Sequence, residues 1–288
     1  MNESVLMDEI IFEGKLIQDL SKTCLRIRRD IIEMIKVAGS GHPGGSLSAT
    51  EILTCLYFHT MRIRPDQPEW KDRDRFILSK GHAAPALYAI LAERGFFPVE
   101  ELWTFSAPDT RLQKHIDMRL VPGAELSTGS LGQGFSVAIG MALANRMDSK
   151  DSRVFVLLGD GEIQEGQIWE AAMTASHQKL DNLVAFLDYN NCQVDGYVDD
   201  ICSIEPIFQK WESFGWHVQE IDGHDIYQIL SALQKTKSNF GKPHMIIANT
   251  IKGKSISFME NRPEWHARAL DENEYQQAIN ELSNIEPY

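Results

Sequence analysis

The sequence predicts an α/β protein: a doubly wound, mostly parallel sheet with helices on both faces. Two observations carry this. The first is a pair of apolar runs, Val154–Leu158 and Leu183–Leu187, each the length of a buried parallel strand and separated by a segment of helical length. The second is that the alternation continues beyond them. A helix is expected over Pro206–Gly215, a strand over Trp216–Ile221, a helix over Ile226–Ser238 and a strand over His244–Thr250. Consecutive βαβ units wind into one sheet with right-handed crossovers, which puts helices on both faces.

The remaining elements follow in order. Lys15–Val37 carries Leu16, Leu20, Leu25, Ile27, Ile31, Ile32 and Ile35 at helical spacing and stops at Gly39-Ser40-Gly41. Ser48 is placed to cap a second helix, Ala49–Phe58. Arg73–Leu78 reads as a short strand ending at Ser79-Lys80-Gly81-His82, and Pro85–Arg94 as a helix. Phe97–Val121, interrupted by Pro98 and Pro108, is expected to be an irregular excursion at the active edge. Phe135–Met147 is rich in small residues and suits a tightly packed helix, and Asp271–Leu282 is an acidic amphipathic helix. The 288 residues show no internal repeat and no low-complexity linker. One domain is therefore expected over residues 1–288, with an N-terminal helical segment 1–38 and a C-terminal helical tail 271–288.

A hydrophobic fraction of 43% and a charged fraction of 24% are ordinary for a globular chain. The net charge of −13 argues against nucleic acid or an anionic membrane as the main partner, though not against a phosphate ligand held by a local metal. Cys24, Cys55, Cys192 and Cys202 are scattered without a CxxC pair, so neither a zinc site nor a disulfide framework is indicated. Reduced thiols in a cytoplasmic protein are the expectation. The acidic N-terminus, MNESVLMDEIIFEG, lacks the basic and apolar regions of a signal peptide, and no apolar run is long enough to span a bilayer.

The chemistry lies at two strand ends. The first apolar run breaks at Gly159-Asp160-Gly161, and the second ends at Asp188-Tyr189-Asn190. Asp160 and Asn190 thus fall just past the carboxyl ends of successive strands, the edge where open α/β sheets bind ligands. A carboxylate and an amide oxygen from two strand ends suit a hard cation that keeps several non-protein oxygens, as Mg²⁺ does on a diphosphate. Taken alone, Gly159-Asp160-Gly161 reads rather as the Gly-rich turn and helix N-cap of a plain βαβ unit; the Asn at the next strand end reverses that.

The paired arrangement resembles the thiamine diphosphate fingerprint, in which Gly-Asp-Gly ends one strand and Asn the next. Four further segments resemble transketolase signatures in order and spacing: Ser40-Gly41-His42-Pro43-Gly44-Gly45, Ser79-Lys80-Gly81-His82, His115, and Pro122 to Gly134. The resemblance covers roughly residues 15 to 270. It implies the diphosphate-binding (PP-type) domain of the thiamine diphosphate fold, with Mg²⁺ (Ca²⁺ or Mn²⁺ as substitutes) held by Asp160, Asn190 and the main-chain oxygen of Cys192. Gly129, Ser130, Leu131, Gly159, Gly161, Glu162, His82 and Lys252 would line the cofactor, with Gly161 and the amide of Glu162 cradling the diphosphate at a helix start. His42, His82, His115 and His266 would serve the substrate hydroxyls as donors and acid–base groups. Glu165 and Glu170, on the helix after the Gly-Asp-Gly turn, would lie at a subunit contact or on a solvated face. Lys252 and Lys254 could both reach phosphate or remain solvated.

The chain departs from the pattern in three places. Ile116 follows His115 where the family has Pro, Pro263 stands where it has a substrate-facing His, and Ala267 stands where it has Gly. It also ends after the first of the family's three domains. The resemblance therefore implies the N-terminal subunit of a split transketolase. A second chain of C-terminal type would supply the pyrimidine-activating Glu and the sugar-phosphate grip, in an α₂β₂ assembly that moves a two-carbon ketol unit from a ketose phosphate to an aldose. The alternatives are a split transketolase for a sulfo-sugar or branched pentose phosphate, the α subunit of a 2-oxoacid or acetoin dehydrogenase, or a non-catalytic cofactor-binding assembly subunit.

Overall fold

In a computed structural model of the chain, the described residues are 3–238 and 241–286, with the side chains of 3–13 excluded. Residues 1–2 and 287–288, the extremes of the expected helical segments, lie outside them. The elements run α1 (Glu3–Ala38), α2 (Pro43–Ser48), α3 (Thr50–Cys55), β1 (Arg75–Leu78), α4 (Ala84–Glu93), α5 (Gln133–Met147), β2 (Val154–Gly159), α6 (Gly166–His177), β3 (Leu183–Tyr189), β4 (Cys192–Gln193), β5 (Gly196–Tyr197), α7 (Val198–Cys202), α8 (Ile207–Ser213), β6 (His217–Asp222), α9 (Ile226–Lys235), β7 (His244–Asn249) and α10 (Glu272–Ser283).

Five strands form one all-parallel sheet in the order β1-β2-β3-β7-β6. The strand period of two divides their side chains between two cores. Phe155, Leu157, Val184, Phe186, Ile246 and Ala248 point into one, which α1, α3, α4 and α10 cover. Val154, Val156, Leu158, Ala185, Leu187 and Ile247 point into the other, under α5 and α6, where Trp211 and Trp216 pack edge to face at 5.0 Å. A sheet apolar on both faces leaves only its edges for polar chemistry.

Several expected boundaries shift, each for a local reason. Ser48 caps nothing: it ends α2, and its hydroxyl donates to Asp188 Oδ2 at 2.6 Å. The expected helix Ala49–Phe58 is α3 followed by a wider π turn over Leu56–Thr60. β1 starts at Arg75, because the Asp74 N–H just before it is given to the Arg62 carbonyl rather than to β2. Helix α9 stops at Lys235, short of Ser238. The tail helix begins with a reciprocal capping box between Asp271 and Glu274. Phe97–Val121 is irregular as expected, apart from a 3₁₀ turn at Val99–Thr104. No helix among the described residues is long and apolar enough to cross a membrane.

Candidate active site

The polar chemistry gathers where β2, β3 and β7 end. Gly159 closes β2, and Asp160, 3% exposed, turns back beneath the next strand end. Its Oδ1 accepts the Gly161 N–H at 2.8 Å and its Oδ2 the Asn190 N–H at 2.9 Å. Asn190 Oδ1 in turn accepts the Cys192 N–H at 3.2 Å. The tight turn continues into the small β4–β5 hairpin. A carboxylate, an amide oxygen and the Cys192 carbonyl are thereby drawn onto one turn.

The donor set fits a divalent cation on a diphosphate. Burial and the neighbouring Asp188 push the Asp160 carboxyl up to about 6, with Lys252 pulling against them. A buried carboxylate made this uncomfortable gains most from a cation. Among the described residues no cluster of three or more His, Cys, Asp or Glu could hold a metal by itself. Only a cation bringing oxygens of its own suits one carboxylate, one amide and one carbonyl. The Cys192 carbonyl accepts from Lys252 Nζ at 3.2 Å. Lys252 is 2% exposed, and burial with the nearby Lys80 lowers its pKa. Lys254 points elsewhere, into the wall of a different cavity of about 780 Å³ shared with Glu51 and His224.

Four imidazoles meet beside this edge. The His42 ring centroid lies 5.6 Å from His82, 5.8 Å from His115 and 5.6 Å from His266, while His82 and His266 are 4.7 Å apart. They arrive from four separate segments: the turn before α2, the turn after β1, the irregular excursion and the loop before α10. Burial and neighbouring positive groups lower His42 to about 4 and His266 to about 3, and hold His82 well below its ordinary value. At neutral pH these three are uncharged, so each offers one donor and one acceptor. His42 Nδ1 is buried without a hydrogen-bond partner. Lys252 Nζ lies 3.3 Å from His266 Nδ1 and joins the histidines to the carboxylate edge.

The glycine loops approach one another closely. Gly129 has a φ of +156°, and a Cβ there would stand 3.1 Å from His115 Cδ2. A Cβ on Gly81 would stand 2.6 Å from the Gly129 amide nitrogen, so the two loops can touch only without side chains. Ser130 is exposed and Leu131 half-buried beside them.

The segment after Asp160 differs from expectation. Glu162–Gln164 is a 3₁₀ turn, and α6 begins only at Gly166, so the amide of Glu162 does not open a long helix. The Glu162 side chain ties three loops together: it accepts from the Gly132 and Gly159 amides, at 2.9 and 3.0 Å, and from the Ser79 hydroxyl. Glu165 and Glu170 are both exposed.

Sequence reasoning missed the residue pair at the centre of the edge. Lys80 Nζ, 2% exposed, pairs with Asp188, 0% exposed, and donates to the Gly45 carbonyl at 3.1 Å. Asp188 also accepts from the hydroxyls of Ser48 and Thr250. Lys80 lies inside a motif that draws attention to its histidine, and Asp188 inside a strand end that draws attention to its asparagine. A polar residue at each of two strand ends was the available signal.

The chain is similar to known proteins in sequence and fold. Residues 21–287 match the family described as transketolase, thiamine diphosphate binding domain. The chain is 51% identical to a 6-deoxy-6-sulfo-D-fructose transketolase subunit of Clostridium sp. (strain MSTE9), over 92% of this chain and 96% of that one. It is 42% identical to an apulose-4-phosphate transketolase subunit of Actinobacillus succinogenes, over 92% and 96%. Human transketolase is 41% identical, but the chain spans only 42% of it. A crystal structure of Pichia stipitis transketolase with sedoheptulose-7-phosphate superposes with a TM-score of 0.88 at 32% identity, covering 92% of this chain and 41% of that one.

Proposed function

The chain belongs to the transketolase family, through its thiamine diphosphate-binding domain, and on that premise we propose that it is the cofactor-diphosphate subunit of a two-chain transketolase. The observation that carries the proposal is the meeting of His42, His82, His115 and His266 beside the turn of Asp160, Asn190 and Cys192. When bound, thiamine diphosphate with its cation supplies the carbanion sink that lets a ketose be cleaved between C2 and C3 and a two-carbon unit pass to an aldose.

This chain's residues would do the rest. Asp160, the Asn190 side chain and the Cys192 carbonyl hold the cation, Mg²⁺ by the hardness of the donors, with Ca²⁺ or Mn²⁺ satisfying the same oxygens. Gly161, whose own N–H is given to Asp160, would let the backbone approach the diphosphate, and the amide of Glu162 and the Lys252 ammonium would face it. Gly129, Ser130, Leu131 and Gly159 line the cofactor. The neutral imidazoles hold sugar hydroxyls and move protons at their oxygens. Glu165, which precedes α6 rather than lying in it as expected, and Glu170 on the exposed face of α6 are assigned to contact between subunits.

Two-chain organisation is supported by the relatives called subunits, which this chain matches over nearly their whole length. The partner would supply the pyrimidine-activating Glu and the grip on the sugar's anionic end, in an α₂β₂ assembly. Four free cysteines support a reducing, cytoplasmic setting.

A second reading concerns the substrate. Pro263, where the family has a substrate-facing His, favours a modified sugar, sulfo-sugar or branched pentose phosphate, and of these the 51% identical relative's name favours 6-deoxy-6-sulfo-D-fructose as ketol donor. The test mixes the purified chain with its C-terminal-type partner, thiamine diphosphate and Mg²⁺, and follows ketol transfer from either donor. Transfer by the pair and not by either chain alone is expected. Turnover by this chain alone would overturn the two-chain reading. Preference for fructose 6-phosphate would overturn the sulfo-sugar reading.

A further inference from the structure

Behind Asp188, away from the histidines, a buried chain of contacts uses residues to which the proposed chemistry gives no role. Arg28 on α1, 2% exposed, grips Glu51 on α3 with two nitrogens, at 2.6 and 2.9 Å. Glu51 Oε2 also lies 2.9 Å from His224 Nδ1, in the turn between β6 and α9. At the far side of the same ring, His224 Nε2 lies 2.8 Å from the Ile251 nitrogen. Burial opposes ionisation of Glu51, but Arg28 and then His224 overcome it and bring its pKa down to about 2, so it is a carboxylate.

The tautomer follows from the donors. A backbone N–H can only donate, so Nε2 must present its lone pair to Ile251. The proton must then sit on Nδ1, where it is given to a carboxylate that can only accept. Arg28 and Glu51 thus fix which imidazole nitrogen faces Ile251, in the way a carboxylate orients a metal-ligating histidine from behind.

The amide so held lies one residue before Lys252 and one after Thr250. Thr250 donates its hydroxyl to Asp188 and its N–H to the Tyr189 carbonyl. Beyond Lys252 the Gly253 N–H donates to the Gly44 carbonyl and the Asn261 N–H to the Lys252 carbonyl, at 3.0 and 2.9 Å, and the Glu260 carboxylate accepts the Ser255 N–H at 2.9 Å. On its near side the turn is anchored by two side-chain contacts, Thr250 on Asp188 and His224 on the Ile251 N–H, and only the second holds the backbone next to Lys252 directly. We propose that Arg28, Glu51 and His224 form a positioning relay: they lock His224 as the Nδ1–H tautomer, and its Nε2 sets the Thr250–Lys252 turn that presents Lys252 to the cofactor-diphosphate edge. This rests on the reading of that edge as a thiamine diphosphate site. His224 is a positioning residue; it touches neither cofactor nor substrate.

Two substitutions separate its two nitrogens. His224→Gln places an amide near Nε2 and can still accept from Ile251. His224→Asn places one near Nδ1, keeping Glu51 company but releasing Ile251. The first measurement is the ¹⁵N spectrum of histidine-labelled full chain, with the His224 signals identified by their loss in His224→Gln. Nδ1 protonated and Nε2 bare is expected; a proton on Nε2 overturns the relay. The second is thiamine diphosphate affinity of the two-chain complex at fixed Mg²⁺, read by tryptophan fluorescence, with KM and kcat followed separately. His224→Asn is expected to weaken affinity about tenfold or more, and His224→Gln to recover most of it, with kcat at saturating cofactor changed less than about threefold in both. Thermal unfolding of the two variants is expected to coincide. Equal weakening by Asn and Gln, or a fall in kcat at full cofactor occupancy, overturns the proposal. If the wild-type complex itself takes up no thiamine diphosphate, the cofactor reading falls and the tautomer measurement still judges the lock.

Discussion

Asp160 and Asp188 stand at neighbouring strand ends, 3% and 0% exposed, yet their surroundings are opposite. Asp188 is complete. It faces the Lys80 ammonium and accepts from Ser48 and Thr250, and although burial pushes its carboxyl up, Lys80 and these hydroxyls bring it below its ordinary value. Asp160 has two backbone amides, and burial together with Asp188 pushes it up to about 6. A carboxylate whose partners are all in the fold serves the fold. A carboxylate left short of positive charge at a ligand-binding edge is made for a charge that arrives from outside.

The largest effect on folding free energy is expected at the complete corner. Asp188→Asn would leave Lys80 buried without a counter-charge, and breaking a buried pair in this way costs about 3–5 kcal/mol. Urea unfolding of the full chain measures it. A loss below about 1 kcal/mol would mean that Lys80 finds water or another acceptor, and the contrast between the corners would dissolve.

Next comes acid sensitivity. His42 and His266 fall in the fold from 6.5 to about 4 and about 3. A depressed pKa contributes stability that is present above the unfolded value and lost as pH falls toward the folded one. At about 1.4 kcal/mol per unit the two histidines outweigh the opposing Asp160, and the cofactor-free chain should lose a net of about 3 kcal/mol between pH 6.5 and 4. Asp160, raised in the fold, works the other way over 3.8 to about 6, its destabilisation fading on acidification. The double variant His42→Asn/His266→Asn should flatten the profile in urea titrations at stepped pH. An unchanged slope would place the acid response elsewhere.

How much of this was legible in the sequence follows the same contrast. Asp160 and Asn190 could be found because each ends an apolar run, and the strand period is local. The glycines around them were legible because close backbone approach demands glycine whatever lies across the gap. The Lys80–Asp188 pair joins residues 108 apart, and Arg28, Glu51 and His224 are joined across 23 and 173 residues. No local pattern encodes such contacts; they exist only once the loops converge. Ser48 shows the cost: beside a helical pattern it reads as a cap, and only the folded edge shows it donating to Asp188. The β4–β5 hairpin was missed because two-residue strands carry no period.

A smaller effect tests the redundancy of the complete corner. Ser48→Ala removes one of three donors from Asp188 and leaves the ion pair, so about 1 kcal/mol is expected, again by urea unfolding. A loss as large as that of Asp188→Asn would show that the hydroxyl, rather than Lys80, sets the corner.

The smallest change in stability is expected at Asp160 itself. Asp160→Asn removes a buried charge that the cofactor-free fold holds at a disadvantage at pH 7, which favours the variant. It also forces an amide NH₂ toward one of two backbone N–H groups, at Gly161 or Asn190, which disfavours it. The two oppose each other, and a net change within about 1 kcal/mol is expected. Mg²⁺ and thiamine diphosphate should separate wild type from variant instead. Added together to the two-chain complex they should raise the unfolding temperature of the wild type, because a ligand that binds only the folded state stabilises it. They should leave Asp160→Asn unmoved. If the cofactor-free variant unfolds as easily as Asp188→Asn does, Asp160 is a structural carboxylate like its neighbour. The edge would then need a different explanation for its strand-end carboxylate, amide and carbonyl.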